Sequence, residues 1–310
     1  MFYRLWSIIA CQLCFASPAP MVTCHMIGQL GNQMFQIATT LAYAWDHGAI
    51  PIFPELHRND GYLSYNRDRF FFRLDSRDPP RPFLYSYRES IWHSPDKIPF
   101  YPDLYVIGHF QSWKHFHHHR QKILSIFAPA EEEIKVLYAN YGKLLNHPNT
   151  VAIHVRSFNK EQHESQIHPF LGLEYYEKAI ALFPQDALFV IFSDRINWCK
   201  KHFKSFPINT IFIEGNDHVR DLYLMSMMKH QIIANSSFSW WAAYLNTNPH
   251  KQVVAPQYGM SLPRDSEFLA SPQNFYLPDW TLLPVPFTSY PIDITWYDAK
   301  SQALDGNLGF

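Results

Sequence analysis

Four short segments carry side chains capable of chemistry, and each lies where an apolar run gives way to helical spacing. Gly28-Gln-Leu-Gly31-Asn32-Gln33 places two glycines and two amides at such a junction. The open N–H groups and the dipole of a helix N-terminus suit an anion or a hydroxyl there. Ile153-His154-Val155-Arg156 ends a second apolar run, and strand alternation puts His154 and Arg156 on one face. A guanidinium is the natural partner of a diphosphate, because its planar fork can hold phosphate oxygens in pairs. Read alone, a loop ion pair for Arg156 and a core hydrogen bond for His154 explain this segment as well. Phe192-Ser193-Asp194 ends a third run. Its carboxylate could accept from a ribose or a base edge, or could cap a helix. The fourth segment, Asn235-Ser236-Ser237-Phe238-Ser239-Trp240-Trp241, sets small hydroxyls between a strand and a helix. They offer an N-cap and a second anion cradle, and one of the paired tryptophans should pack inward.

Other tempting features carry less. In the run His117-His118-His119, adjacent helical residues point 100° apart, so the three cannot all face one ion. His115 and His119 have the better spacing, but no acid follows to complete a site. The chain holds no Asp-x-Asp pair and no phosphate-binding loop with a Gly-Lys-Ser/Thr end, so neither a metal-bridged diphosphate nor that mode of ATP binding is indicated. Asp217 reads as a helix cap, with Asp221 inside that helix. Asn235-Ser-Ser237 matches a glycosylation sequon, but its strand–helix position argues against use. Cys11 and Cys14 form a lone C-x-x-C, while Cys24 and Cys199 read as packing thiols.

The elements that must position these groups are visible in the pattern of apolar residues. The 310 residues are 47% hydrophobic and 17% charged, enough for a sizeable core and too apolar for a disordered chain. The formal charge is −1, without the basic excess that a nucleic-acid partner demands. Aromatic content of 17% suits stacking surfaces for sugars or bases. Residues 1–20 join Arg4, an apolar run and a small-residue tail. They read as a signal peptide, as a short anchor, or as sequence ahead of a true start at Met21. The run is shorter than the ~18–20 residues that span a bilayer.

Residues 21–148 form a first domain: a strand over Val22–Ile27, a helix through Trp45 closed by Gly48, and a strand over Ile50–Phe53. Loops and short helices follow over Arg58–Pro102, then a strand over Leu104–Ile107 and helices over Trp113–Phe127 and Pro129–Leu145. Residues 149–310 form a second, in which strands beginning at Val151, Leu188, Thr210, Gln231 and Gln252 alternate with helices before a Pro-rich tail. That alternation predicts an α/β fold with a parallel, doubly wound sheet, whose ligand crevice lies beyond the strand C-terminal ends.

Taken together, these segments resemble the α-1,2-fucosyltransferase family that includes the galactoside 2-α-L-fucosyltransferases. Gly28-Gln-Leu-Gly-Asn-Gln-Met-Phe-Gln-Ile-Ala38 is similar to that family's opening Gly-Gly-Leu-Gly-Asn-Gln-Met-Phe-Gln-Tyr-Ala. Gly108-His-Phe-Gln-Ser-Trp-Lys-His-Phe116 resembles its Gly-Tyr-x-Gln-Ser-x-Lys-Tyr-Phe, and Phe192-Ser-Asp194 and Asn235–Trp241 resemble its later motifs. One segment departs: His154-Val-Arg-Ser-Phe-Asn159 stands where the family reads His-x-Arg-Arg-x-Asp, with Ser157 and Asn159 replacing an Arg and an Asp.

The resemblance implies a GT-B architecture, with two Rossmann-like domains facing across a cleft, an acceptor-side N-terminal domain and a C-terminal domain for the nucleotide sugar. It implies inverting transfer of L-fucose from GDP-fucose to the 2-hydroxyl of a galactose-terminated glycan, with no cofactor and no metal. Arg156 would stabilise the departing diphosphate. Gly28, Gly31, Asn32, Gln33, His154, Asp194, Asn235, Ser236, Ser237, Ser239 and Trp240 would bind donor or substrate. Glu164, close to Glu161 and His163, is the candidate base. The changes at Ser157 and Asn159 keep open a non-catalytic derivative or a different GDP-sugar. Nucleic acid is not an expected partner, and peripheral membrane association rests on the leader alone. The expected site is cytoplasmic or membrane-associated in a bacterium and the secretory lumen in a eukaryote.

Overall fold

The computed structural model describes residues 18–91, 93–156, 171–257 and 272–285. It holds two sheets, each with every strand pair parallel. The first has strands β1 (Met21–Cys24), β2 (Ile50–Pro51), β3 (Tyr85–Arg88) and β4 (Leu104–Ile107), in the order β2-β1-β4-β3. The second has β5 (Thr150–Val155), β6 (Leu188–Ser193), β7 (Asn209–Phe212), β8 (His230–Ile232), β9 (Val253–Pro256) and β10 (Thr281–Leu283), in the order β10-β9-β8-β5-β6-β7.

In both sheets the strand order reverses beside the founding strand, between β1 and β4 and between β5 and β8. Such reversals open a crevice beyond the strand ends. The Gly28 and Gly108 segments therefore flank one crevice, and Arg156 and Asn235–Ser237 flank the other. Every residue of β5 is buried, as expected of a parallel strand covered on both faces.

Helix α1 (Leu30–His47) starts where Gly28 turns the chain at φ 76°. It ends at Gly48, whose left-handed φ of 63° lets its N–H bond to the Ala44 carbonyl. Most of α1 is buried, because β1 and β2 cover one side and helix α8 (Ser237–Leu245) covers another. Between them runs an aromatic seam. Phe35 lies 4.5 Å from Trp240 and 5.1 Å from Trp241, ring centre to ring centre, and Phe116 stacks on Trp241 at 5.3 Å. The sequence suggested one inward tryptophan, but both are fully buried. A single apolar core thus joins the helices of the two sheets.

A second core fills the other face of the larger sheet, under helices α5 (Leu173–Ile180) and α6 (Ile196–His202). There the Tyr175 hydroxyl donates to the Ile233 carbonyl at 2.7 Å, and the Tyr176 hydroxyl to that of His154 at 3.2 Å. These bonds fix the strand ends at the crevice.

A polar network crosses between the halves as well. In helix α7 (His218–Ser226), capped by Asp217, Arg220 pairs with Glu133 of helix α4 (Glu131–Leu145). Arg69 of helix α2 (Leu63–Arg69) reaches Glu133 at 3.0 Å and Asp217 at 3.2 Å.

Three stretches differ from the sequence reading. The helix expected over Trp113–Phe127 is two 3-10 turns followed by α3 (Arg120–Ile126). Strand β3 stands where loops and short helices were expected, because an edge strand exposed along most of its length shows no apolar alternation. The tail beyond Pro256 supplies α9 (Pro272–Phe275) and edge strand β10, both too short for a periodic signal.

Candidate active site

The tight Gly28 turn is dictated by space as well as by its φ. A Cβ on Gly28 would sit 2.3 Å from Asn32 Nδ2. At Gly31 the added atom would lie 2.6 Å from the Phe238 backbone nitrogen and 2.7 Å from the Ser237 carbonyl carbon. Only glycine lets the first turns of α1 and α8 touch. The contact sets two helix N-termini side by side, so their partial positive charges add. Asn32 locks it: its Oδ1 accepts from Ser237 Oγ and from Gln111 Nε2, each at 2.8 Å. Three motifs that lie far apart in the chain therefore meet at one amide oxygen.

Gln33 has a different part from the one expected. It is fully buried, donates to the carbonyls of Gly28 and Gly61 at 2.8 and 2.7 Å, and accepts from Asn66 Nδ2 at 2.7 Å. It shapes the turn and does not face a ligand. Ser239 and Trp240 are likewise turned inward. The Ser239 hydroxyl bonds the Ser236 carbonyl at 3.3 Å, and Trp240 Nε1 donates to the Phe275 carbonyl at 2.8 Å. Ser236 caps α8, accepting from Phe238 N, and both Ser236 and Ser237 stay partly open to solvent.

Across the switch point, Arg156 follows β5 and Asp194 follows β6. Val155 and Ser193 are register partners, so the two side chains meet, with Nη1 to Oδ2 at 3.0 Å. Arg156 is 34% exposed and Asp194 31%. This ion pair is neither buried nor remote; it joins two of the expected site residues at the crevice. Asp194 does not cap α6, whose N-cap is Arg195. His154 is buried, 5.5 Å from the Phe238 ring, with no hydrogen bond to Nδ1 among the described residues. Burial drives its pKa down to about 3, the Arg156 charge adds to that, and Asp194 opposes it. It is a neutral ring. Asn235 is buried at the end of β8. Glu164, together with Ser157, Asn159, Glu161 and His163, lies outside the described residues.

The histidine run behaves unlike the helix geometry assumed for it. His118 Nε2 and His119 Nε2 both reach Asp46, at 3.0 and 2.8 Å, from a tight 3-10 turn. His115 is half-buried against Phe110, and desolvation drives its pKa down to about 4. Asp46 closes α1 at the end opposite the Gly28 turn. Asp221 is held by Asn216 Nδ2 at 3.0 Å, and burial raises its pKa to about 6.

Two polar groups at the edge of the first sheet escaped the sequence reading, His25 with Glu55, and Glu89. Apart from Arg58 beside Glu55, their partners lie 20 to 80 residues away in the chain, so local spacing does not announce them.

Two Rossmann-like parallel sheets that meet at the C-terminal ends of their strands are the architecture of the GT-B class of glycosyltransferases. Within that class the chain belongs to Glycosyl transferase family 11, whose model matches residues 5–284. Alpha-1,2-colitosyltransferase of Escherichia coli is 30% identical over 270 residues, covering 76% of this chain and 91% of the relative. Galactoside alpha-(1,2)-fucosyltransferase 2 of Rattus norvegicus is 27% identical over 290 residues, covering 85% and 77%. Among solved structures, NodZ alpha-1,6-fucosyltransferase co-crystallized with GDP shares the fold at a TM-score of 0.51 and 14% identity, covering 73% of this chain and 92% of that one. The family named by the sequence motifs is thus the one to which the chain belongs, and the protein is a glycosyltransferase.

Proposed function

We propose that this glycosyltransferase moves L-fucose from GDP-fucose to the 2-hydroxyl of a galactoside, with inversion and without a divalent ion. The observation that carries the reading is the Arg156–Asp194 pair at the ends of β5 and β6, next to the switch point of the second sheet, whose other side leads into the joined N-termini of α1 and α8. Residues 149–310 would hold the nucleotide and residues 21–148 the acceptor. The galactoside in the rat relative's name agrees with the acceptor proposed here, and NodZ was co-crystallized with GDP.

In the reaction the acceptor oxygen bonds to the anomeric carbon as the bond to the diphosphate breaks. The electron pair leaves with GDP, and the growing charge on the leaving group is the costly feature. Arg156 meets that charge, helped by N–H donors of the first turn of α8, and one such donor is typically worth about 3–4 kcal/mol. Asp194 orients the guanidinium before the donor arrives. Asn32 and Ser237 hold the two halves in register. The family likeness offers Glu164 as a candidate base: were it the base, its replacement by Gln would cut transfer and leave donor binding intact, and unchanged turnover discards it.

A second reading keeps the mechanism and changes the sugar. The colitosyltransferase relative and the departures at Ser157 and Asn159 favour a different GDP-deoxysugar. Incubating the pure protein with GDP-fucose and lactose decides. Fucosylated lactose and free GDP support the first reading, preference for another GDP-sugar the second, and GDP binding without any transfer a non-catalytic role.

A further inference from the structure

His25 directly follows β1 and extends its ladder by one hydrogen bond, N to the Val106 carbonyl at 2.8 Å. Alternation places it opposite Cys24 and Met26, which pack in the core with α1. On that opposite face its Nδ1 lies 3.2 Å from Glu55 Oε1 and 3.0 Å from the Tyr105 hydroxyl. Glu55 collects donors on both oxygens: the Tyr105 hydroxyl also donates to Oε1, while Met26 N at 2.9 Å and Arg58 donate to Oε2. These bonds, His25 first among them, outweigh desolvation and keep the carboxyl below its ordinary pKa. A carboxylate facing Nδ1 requires a proton on Nδ1. The Tyr105 hydroxyl, whose own proton points to Glu55, can accept only from the same N–H. The tautomer is therefore settled, and the lone pair sits on Nε2, which makes no hydrogen bond to any described residue.

A His–carboxylate pair of this kind is how a base is oriented and its cation stabilised. It stands three residues before Gly28, at the end of the strand that flanks the first switch point. The side chain keeps 17% of its surface open. The other carboxylate at this edge fails the same test. Glu89 Oε2 accepts from His109 N and Phe110 N at 2.7 and 2.8 Å, and its Oε1 is sealed from solvent without a partner.

We propose that His25, oriented by Glu55 and Tyr105, is the base that takes the proton of the acceptor hydroxyl, in place of Glu164. The proposal rests on the transferase reading above. As the acceptor oxygen bonds to the anomeric carbon, its proton passes to Nε2, and GDP leaves with the electrons of the broken bond. The imidazolium is held by Glu55 until it releases the proton to water. The charged and titratable groups around the ring are Glu55, Tyr105 and Arg58, with Asp60 behind Arg58.

The test measures transfer from GDP-fucose to a galactoside across pH, with GDP affinity by calorimetry as the control for folding. His25→Asn should lower kcat by about 10²–10⁴-fold and leave GDP affinity within about twofold. The acid limb of the wild-type kcat/KM profile should vanish in this variant. Imidazole added to His25→Ala should restore part of the rate, which a merely structural role would not allow. Glu55→Gln should lower kcat and leave GDP affinity unchanged, since the ring loses the carboxylate that orients it, and this holds the proposal to account even if the His25 variants fold poorly. A His25→Asn enzyme within about threefold of wild type, or a Glu164→Gln enzyme that alone loses the limb, overturns the assignment and leaves the transferase reading standing. A wild type that transfers no sugar overturns both.

Discussion

The crevice edges of the two sheets are built on opposite plans. At the edge of the first, polar groups are engaged with one another: Gln33 with Gly28, Gly61 and Asn66, Glu55 with four donors, Glu89 with two backbone N–H groups. At the edge of the second, Arg156 pairs with Asp194 and Ser237 with Asn32, yet Arg156, Ser236 and Ser237 each keep part of their surface open to solvent. One edge is a rigid template and the other a charged receptor. That division suits a reaction in which an acceptor must be aimed and a diphosphate must be held.

Beside the loss expected for His25→Asn, the large effect falls on the receptor side. Arg156→Ala should lower transfer by about 10²–10³-fold while the protein stays folded, because its side chain is partly exposed. The seam between the halves should dominate stability. Trp240→Ala removes a fully buried ring and the hydrogen bond to Phe275, and denaturant unfolding should show a loss of about 3–5 kcal/mol.

The two halves should also fail at opposite ends of the pH scale. His154 titrates near 3 when folded against 6.5 when unfolded, so its contribution is present above pH 6.5 and lost as pH falls toward 3. His154→Gln should flatten the acid slope of stability, by up to a few kcal/mol. Burial raises Glu89 to about 7, well above its unfolded value, so its contribution is present below pH 4.5 and lost as pH rises through 7. Glu89→Gln should therefore gain stability relative to wild type at pH 8 and not at pH 4, read by thermal melts at the two pH values. The smallest effect is at the bridge: Ser237→Ala loses one bond to Asn32, about 0.5–1.5 kcal/mol, with a measurable fall in transfer if the two halves then rock apart.

The same division explains what could be read from the chain. The second sheet was legible because each parallel strand is a short apolar run bounded by helix signals, as in Thr150–Val155 and Leu188–Ser193. The crevice-edge positions of Arg156 and Asp194 were legible too, since each follows such a run directly. The template side was not. Strand β3 is exposed and carries no pattern, and the helix expected from Trp113 breaks into 3-10 turns. Gln33, Ser239 and Trp240 sit within motifs that suggested ligand contact, but their burial is a tertiary fact that spacing does not encode. His25, Glu55 and Tyr105 come from three separate elements and meet only on folding.

The central claim is that a guanidinium, with no divalent ion assisting, stabilises the departing diphosphate. The most direct measurement is the rate of sugar transfer from GDP-fucose by wild type and by Arg156→Ala, both in excess EDTA. The account predicts a wild-type rate unaffected by the chelator and a variant slower by at least about 100-fold. A variant as fast as wild type, or a wild type silenced by EDTA and restored by a divalent cation, would contradict it.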